Sequence, residues 1–385
     1  MMDFNDYFDP VSHDVVINTT DLAVNSLIVK ISLHTCENAI SFDNCNIGLF
    51  AVTTDKRDCD GYIAADEIRK KIYRLILPGV GLAMTDFGNL KSGSTYSDTC
   101  YALRDVILEF LTYGIIPLVI APDSRIIYSV YQAYEKLERA VNIASVNSSP
   151  ELGSTESDHV NQPFLAKLIM NKSKYLFNYI NIAYQNYFVD PDHLKLINDM
   201  LFDNVRLGKI RGDIREIEPV LRDTDIVSFS LNAVRHSDAC GQRIASPNGL
   251  FGEEACQIAK YAGISDKVSS FCLSDLIPEL DVNQQTAHLA AQILWHFLAG
   301  FCTRKKDYPF SDIKDYKRFI VFLDELGHDI VFYKSTKSDR WWLEVSTKKN
   351  DKKRNIIVAC SYEDYQRACN QEIPDRWWKT YQKIC

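Results

Sequence analysis

The sequence lacks the cysteine pattern of a disulfide-stapled protein. Its eleven cysteines are scattered and odd in number, and no two of them form a C-x-x-C pair. Small secreted folds use even sets of regularly spaced cysteines. We therefore expect reduced thiols and a cytoplasmic protein.

Long apolar segments are also absent. No run of about 18 uncharged apolar residues occurs, and residues 1–16 are acidic where a signal peptide would be basic and then apolar. The sequence therefore predicts neither a signal peptide nor insertion into a membrane.

Positive charge is scarce over most of the chain. The 385 residues contain 43 lysines and arginines against 51 aspartates and glutamates, a net charge of −8. This balance argues against nucleic-acid binding. The deficit lies in residues 1–302, with 25 basic and 38 acidic side chains, whereas residues 303–385 carry 18 and 13. We predict a domain at 1–302 and a basic, Trp-rich extension at 303–385 that packs on this domain or projects from it.

Short apolar runs alternate with helix-like stretches throughout residues 1–302. Near-continuous apolar strands between helices are typical of a parallel sheet covered on both faces. The sequence thus predicts the α/β class, with three layers around a mostly parallel central sheet. In such sheets the working site lies where the strands end.

Residues 303–385 follow a different pattern. A polar joint and a helix-like stretch precede three strand-like runs at 329–335, 340–346 and 355–361. A further helix is predicted after Ser361, which would be its N-cap. The extension is therefore predicted to be α+β, with the basic run 348–354 as a solvated hairpin tip.

Polar residues follow four of the predicted strands in residues 1–302. They occur at 123–125, 147–151, 228–236 and 275–281. In order, these segments resemble the motifs G-G-D-H-S, D-A-H-x-D, S-F-D-x-D-x-x-D-P and E-x-n-P-x-L-D of the ureohydrolase family of arginases, agmatinases and formimidoylglutamases. The resemblance spans about residues 45–302 and is closest to the formimidoylglutamase branch. It implies the arginase-like α/β/α fold.

The resemblance also implies a metal site, because the family holds two Mn²⁺ ions with two histidines and four aspartates. At these positions this sequence has Ser124, Asn147, Ser149, Glu151, Ser230 and Asn232. We therefore expect no binuclear manganese site and no other cofactor. Asp123 and Asp275 complete the set of vestigial positions, and Asp275 corresponds to the family's acid that pairs with the substrate's cationic group. A weaker alternative is one Mg²⁺ or Ca²⁺ on Glu151 with Asn147, Ser149 and Asn232.

Three functions remain open from these residues. The leading hypothesis is an inactive scaffold or protein-interaction module with an unknown protein partner. The alternatives are a small-molecule sensor that uses the metal-free pocket, and a divergent hydrolase of amidine or amide C–N bonds.

The resemblance also implies a homo-oligomer, since family members are commonly trimers or hexamers. Paired aromatic residues of the kind found at interface centres occur in the extension: Trp341, Trp342, Trp377 and Trp378. Adjacent strand residues point to opposite faces, so Trp341 or Trp342 could instead pack the extension onto the main domain.

Overall fold

The computed structural model describes residues 4–17, 23–38, 42, 44–53, 59–153, 162–308, 313–324, 327–349 and 352–384. Within this part of the chain, no helix is long and apolar enough to cross a membrane.

Ten strands form the central sheet, in the order β1-β4-β3-β5-β10-β9-β6-β7-β8, with β2 beside β4. Only β1 runs antiparallel to its neighbour, and every other pair is parallel. The strands are β1 Phe8–Asp9, β2 Ser32–Leu33, β3 Ile47–Ala51, β4 Met84–Leu90, β5 Ile116–Ala121, β6 Val141–Val146, β7 Leu176–Tyr184, β8 Asp203–Arg206, β9 Ile226–Ser230 and β10 Ser270–Ser274.

Alternate side chains of each central strand enter two separate hydrophobic cores. Leu49 and Leu118 face one core, whereas Phe50 and Val119 face the other. Because both faces are buried, these strands read as continuous apolar runs in the sequence.

Helices cover both faces of the sheet. The first core packs against α1 His13–Ile17, α2 Leu27–Lys30, α3 Cys59–Ile72, α8 Leu207–Gly212, α9 Ile217–Arg222, α10 Gly252–Ile264 and α11 Gln285–Phe301. The second packs against α4 Tyr96–Thr112, α5 Ile127–Lys136, α6 Phe164–Met170 and α7 Pro191–Asp199. The predicted three-layer α/β/α architecture is confirmed.

The last part of the chain forms a second, antiparallel sheet in the order β11-β12-β13-β14. Its elements are β11 Tyr316–Leu323, β12 His328–Ser335, β13 Trp341–Lys349, β14 Lys352–Cys360, α12 Tyr362–Cys369 and α13 Asp375–Ile384. Helix α12 begins where it was predicted, because the Ser361 side chain accepts from the backbone N–H of Asp364 and Asp364 bonds back.

The helix-like stretch that was expected before the three strand-like runs is wrong. Strand β11 occupies it, and all eight of its residues pair with β12. Phe319, Val321 and Leu323 alternate into the core of the second sheet. This period of two, in aromatic and β-branched residues, fits a strand better than a helix.

The second sheet contacts the main sheet through the buried guanidinium of Arg222. Its Nη1 donates to the carbonyl of Trp341 at 2.7 Å, and its Nη2 donates to the carbonyl of Cys360 at 3.1 Å. The same guanidinium lies over the Trp342 ring, 4.6 Å from its centroid, and pairs with Glu218 at 2.9 Å. One side chain thus joins α9 to two strands of the second sheet.

Further contacts place the second sheet at the amino ends of the parallel strands. The Asp223 carboxylate, which precedes β9, accepts from the backbone N–H of Ala359 at 2.7 Å. The Lys379 ammonium on α13 pairs with Asp203, the first residue of β8, at 2.5 Å. The second sheet therefore lies at the end of the main sheet opposite to the carboxyl ends of the strands.

Three of the four tryptophans expected at a partner surface are instead buried within this chain. Trp341, Trp342 and Trp377 are 8%, 1% and 2% exposed, whereas Trp378 is 42% exposed. Trp341 and Trp377 belong to the core of the second sheet, and Trp342 lies under Arg222. Of the two adjacent tryptophans, Trp342 is the one that packs the extension onto the main domain, as the alternative interpretation expected.

Replacing Arg222 should separate the two sheets. We expect Arg222→Ala to lower the free energy of unfolding by about 3 kcal/mol, because two buried carbonyls lose their donor. Urea unfolding followed by tryptophan fluorescence measures this change. Arg215→Ala is the matched control, since Arg215 is exposed and pairs with the neighbouring Asp213, and its effect should be much smaller because water screens such a pair. Equal effects of the two variants would contradict the role given to Arg222.

Candidate functional site

A cavity of about 540 Å³ opens at the carboxyl ends of β5, β10, β9 and β6. These strands are consecutive in the sheet, so the residues that follow them meet at one edge. Seven of the eight side chains singled out in the sequence line the cavity: Asp123, Ser124, Asn147, Ser149, Glu151, Asn232 and Asp275. The eighth, Ser230, reaches it through a hydrogen bond to Asp275.

The Glu151 carboxylate is held by neutral donors. The Asn147 amide donates from Nδ2 to Oε1 of Glu151, and the Ser124 side chain hydrogen bonds the same carboxylate. The orientation of this amide is fixed, because its Oδ1 accepts the backbone N–H of Ser148 at 2.7 Å. An amide oriented in this way turns hydrogens, not oxygen, toward Glu151.

The Asp275 carboxylate is held in the same manner by hydroxyl groups. Ser230 and Ser274 donate from Oγ to its Oδ2 at 2.5 and 2.9 Å. Ser230 Oγ also accepts the backbone N–H of Asn232 at 3.2 Å, which begins a single turn of 3₁₀ helix. Asp275 has a φ of 73°, a left-handed conformation that costs free energy in any residue with a side chain and that often marks functional sites.

Both carboxyl groups have raised pKa values. Burial, followed by the nearby charge of Asp275, raises the pKa of Glu151 to about 7. Burial also raises the pKa of Asp275 to about 6, against the opposing effect of its two serine donors. A cavity that holds two such carboxyl groups offers hydrogen-bond donors and acceptors near neutral pH.

Asp123 lies at the cavity wall but is committed to its neighbour. Its carboxylate accepts from Nε and Nη2 of Arg125 at 2.9 and 2.6 Å, and from the backbone N–H of Arg125 at 2.8 Å. Asn232 also lines the cavity, and its Oδ1 is shielded from solvent and has no hydrogen-bond partner among the described residues.

Several residues of the cavity were not anticipated from the sequence. Arg243 and Ile244 come from the long loop after β9, and Glu279 comes from the turn after Asp275. Arg243 faces the site closely enough to lower the pKa of Asp275. Arg243 and Ile244 lie in a loop, where a strand-end pattern does not identify site residues. For Glu279, its position within the fourth motif is the one signal in the sequence.

The site residues do not form a recognisable metal cluster in the described part of the chain. No group of three or more His, Cys, Asp and Glu side chains lies close enough together there to hold a metal ion. Asn147 and Ser124 instead hydrogen bond Glu151. Ser230 and Ser274 hydrogen bond Asp275.

Residues 61–300, which include every strand that leads into the cavity, match the model of the Arginase family. The chain belongs to the arginase family. The resemblance noted in the sequence motifs is thereby confirmed, together with the fold that it implied.

Curated relatives of the arginase family match over part of their length. The formimidoylglutamase of Bacillus subtilis is 23% identical over 194 residues, which cover 48% of this chain and 61% of the relative. That of Staphylococcus haemolyticus is 33% identical over 85 residues, 22% of this chain and 27% of the relative. The chain thus spans about three-fifths or less of the curated relatives it matches.

Solved structures of the arginase family share the fold more completely. A Trypanosoma cruzi formiminoglutamase with Mn²⁺ superposes with a TM-score of 0.61 at 20% identity, covering 69% of this chain and 97% of that one. The Bacillus subtilis formimidoylglutamase gives 0.63 at 16% identity, with 74% and 94% covered. This likeness shows an arginase-like fold, to which the present chain adds further residues.

The raised pKa of Glu151 predicts a pH-dependent stability. Below its ordinary value of 4.5 the carboxyl is protonated in both the folded and the unfolded chain, whereas above about 7 it is ionised in both. The folded state therefore loses stability as the pH rises through this window. Glu151→Gln removes the cost of burying the charge. Its free energy of unfolding should rise relative to the parent by about 3 kcal/mol between pH 4.5 and pH 8.

Urea unfolding at several pH values measures this difference. Glu372→Gln, which removes an exposed carboxyl, is the control for a lost negative charge. A difference between Glu151→Gln and the parent that stays constant with pH would show that Glu151 titrates as an ordinary carboxyl.

Proposed function

We propose that this chain is a catalytically inactive member of the arginase family that serves as a scaffold or protein-interaction module. The observation that carries the proposal is that neutral side chains hydrogen bond the two buried carboxylates of the site, Glu151 and Asp275. Among the six positions where the resemblance places metal ligands, Glu151 alone is a carboxylate, and it already accepts from Asn147 and Ser124.

The donors in this cavity do not fit two Mn²⁺ ions. Two such ions carry four positive charges, and one ligand-position carboxylate would leave most of this charge uncompensated in a partly buried site. Serine hydroxyls and asparagine amides are weak neutral donors that rarely anchor a transition metal. Here the Asn147 oxygen is also occupied by a backbone N–H, and the Ser230 hydroxyl donates to Asp275.

The proposed inactivity follows from this poor fit to metal ions. Metal-dependent hydrolysis uses a bound water whose pKa is lowered by the cations. Without these cations, water in the cavity remains a weak nucleophile. No described histidine lines the cavity to act as a base in their place.

A scaffold role is supported by what the chain adds to the shared fold. The Trypanosoma cruzi structure is covered almost completely, yet about a third of the present chain lies outside the match. The second sheet lies outside residues 61–300, which match the family model, and it lies at the amino ends of the strands, away from the cavity. Added surface remote from a site is suited to association rather than to the reaction.

Two alternatives are favoured by particular observations. The cavity, at about 540 Å³, lies within the usual range for small-molecule sites, so a metal-free sensor of a polar ligand is a second candidate. Relatives that bear the name formimidoylglutamase favour a divergent hydrolase of linear amidines. Both make the same cavity functional, and they differ in whether a bound molecule is turned over.

Metal content and turnover test the proposal together. After incubation with Mn²⁺ and removal of free metal, we expect well under one Mn²⁺ per chain, no rise in melting temperature, and no release of urea, formamide or ammonia from guanidines or linear amidines. The positive control restores the family's ligands by six substitutions: Ser124→His, Asn147→Asp, Ser149→His, Glu151→Asp, Ser230→Asp and Asn232→Asp. This variant should gain Mn²⁺, because its carboxylates supply the missing negative charge.

About two Mn²⁺ per parent chain, together with turnover, would overturn the proposal in favour of the hydrolase. A melting temperature raised by a small polar molecule, without metal or turnover, would favour the sensor.

A further inference from the structure

Strand β11 carries an exposed apolar strip at the edge of the second sheet. It is the outermost strand, and within the described residues it pairs with β12 alone. Ile320 and Phe322 are each 54% exposed on this strand. An edge that lacks a neighbouring strand and exposes aromatic and β-branched residues is a template for another strand, and such edges are usually shortened or charged.

The exposure follows from which face of β11 is covered. Phe319, Val321 and Leu323 alternate inward, to the core that also contains residues of α12 and α13. Ile320 and Phe322 point to the other face. Arg318, on that same face, and Asp324, just past the end of the strand, are also exposed.

We propose that two copies of this chain associate by antiparallel pairing of their β11 strands across a twofold axis. The two four-stranded sheets then form one continuous eight-stranded sheet. This inference rests on the proposed scaffold function, for which it names a second copy of the chain as a partner.

Backbone geometry selects which residues pair. In an antiparallel strand, alternate residues direct their N–H and C=O groups to each side. Gln371 bonds the carbonyl of Phe322 at 3.1 Å and the N–H of Asp324 at 3.0 Å from the outer edge. The even-numbered residues of β11 are therefore those that face outward, and they must pair with one another across the axis.

One such register is complementary in both charge and packing. With the axis at Val321, Ile320 lies opposite Phe322 of the second copy, and Arg318 lies opposite Asp324 of the second copy. The twofold repeats both contacts, giving two ion pairs that flank two aromatic–aliphatic pairs. A shift that places Ile320 on the axis would set Arg318 against Phe322 and leave the charges unmatched.

Gln371 competes with this pairing but does not prevent it. Its two side-chain hydrogen bonds lie at the solvent-exposed edge, where backbone groups of a second strand can replace them at similar strength. The contact is short, so the dimer should be weak and dependent on concentration.

Sedimentation velocity of the full-length chain, from about 1 µM to about 200 µM, tests the proposal. The parent should shift from monomer to dimer. Arg318→Glu and Asp324→Lys should each weaken association at least about tenfold, because each places like charges opposite one another. The double variant Arg318→Glu/Asp324→Lys should restore association. This rescue also controls for the hydrogen bond between Arg318 and Tyr333, which is lost in the double variant as well as in Arg318→Glu alone.

Lys30→Glu is the matched charge-reversal control. Lys30 is exposed on α2, which precedes β2 at the far end of the main sheet from β8, so this variant should associate like the parent. A chain that stays monomeric at every concentration would overturn the proposal. An oligomer unaffected by either single variant would also overturn it, because another surface would then hold the copies together.

Mn²⁺ content and turnover measured on the same samples separate this inference from the proposed function. A metal-free, inactive monomer contradicts the dimer alone. An active, manganese-loaded dimer that responds to Arg318→Glu contradicts the proposed inactivity alone.

Discussion

Parallel pairing of β5, β10, β9 and β6 is the constraint on which the rest of the structure depends. Each strand must bury both faces, so its side chains alternate between two cores and both faces require helices. The same pairing brings four carboxyl ends to one edge, where the chain leaves the sheet in loops. The cavity therefore follows from the topology of the sheet, whatever side chains the loops carry, and its chemistry is decided by a few residues that contribute little to the cores.

Charged groups at the amino ends of the parallel strands need partners. At the amino ends, Arg222, Asp223 and Asp225 are charged groups shielded from water, and a buried charge without a partner is costly. The second sheet supplies partners there, with carbonyls for Arg222 and a backbone N–H for Asp223, while Asp225 bonds the N–H of Asn142. Attachment of the second sheet is thus part of how the main sheet satisfies its own polar groups.

Much of this arrangement could be predicted from the sequence, because its causes are local or periodic. Continuous apolar runs identify the buried strands, and Ser361 identifies the start of α12.

Other features could not be predicted. The stretch that forms β11 has apolar residues that suit either a helix or a strand, and pairing with β12 decides between them. The buried positions of Trp341 and Trp377 depend on how α12 and α13 fold back onto the second sheet. Similarly, the contribution of Arg243 to the cavity depends on the path of a long loop. The spacing of residues along the chain predicts neither how helices fold back onto a sheet nor which path a long loop takes.

Under the proposed function, hydrogen bonds take over the electrostatic role that cations would have in the candidate site. The charge of the nearby Asp275 raises the pKa of Glu151, and the family resemblance would place metal ions beside such carboxylates. Here the side chains that hydrogen bond these two carboxylates are neutral donors, namely Asn147 and Ser124 for one and Ser230 and Ser274 for the other. Three of these four donors stand at positions where the motif resemblance would place metal ligands. In the proposed function, neutral donors at these positions remove the demand for positive charge. This coupling explains how the arginase-like scaffold can persist under the proposed loss of metal chemistry.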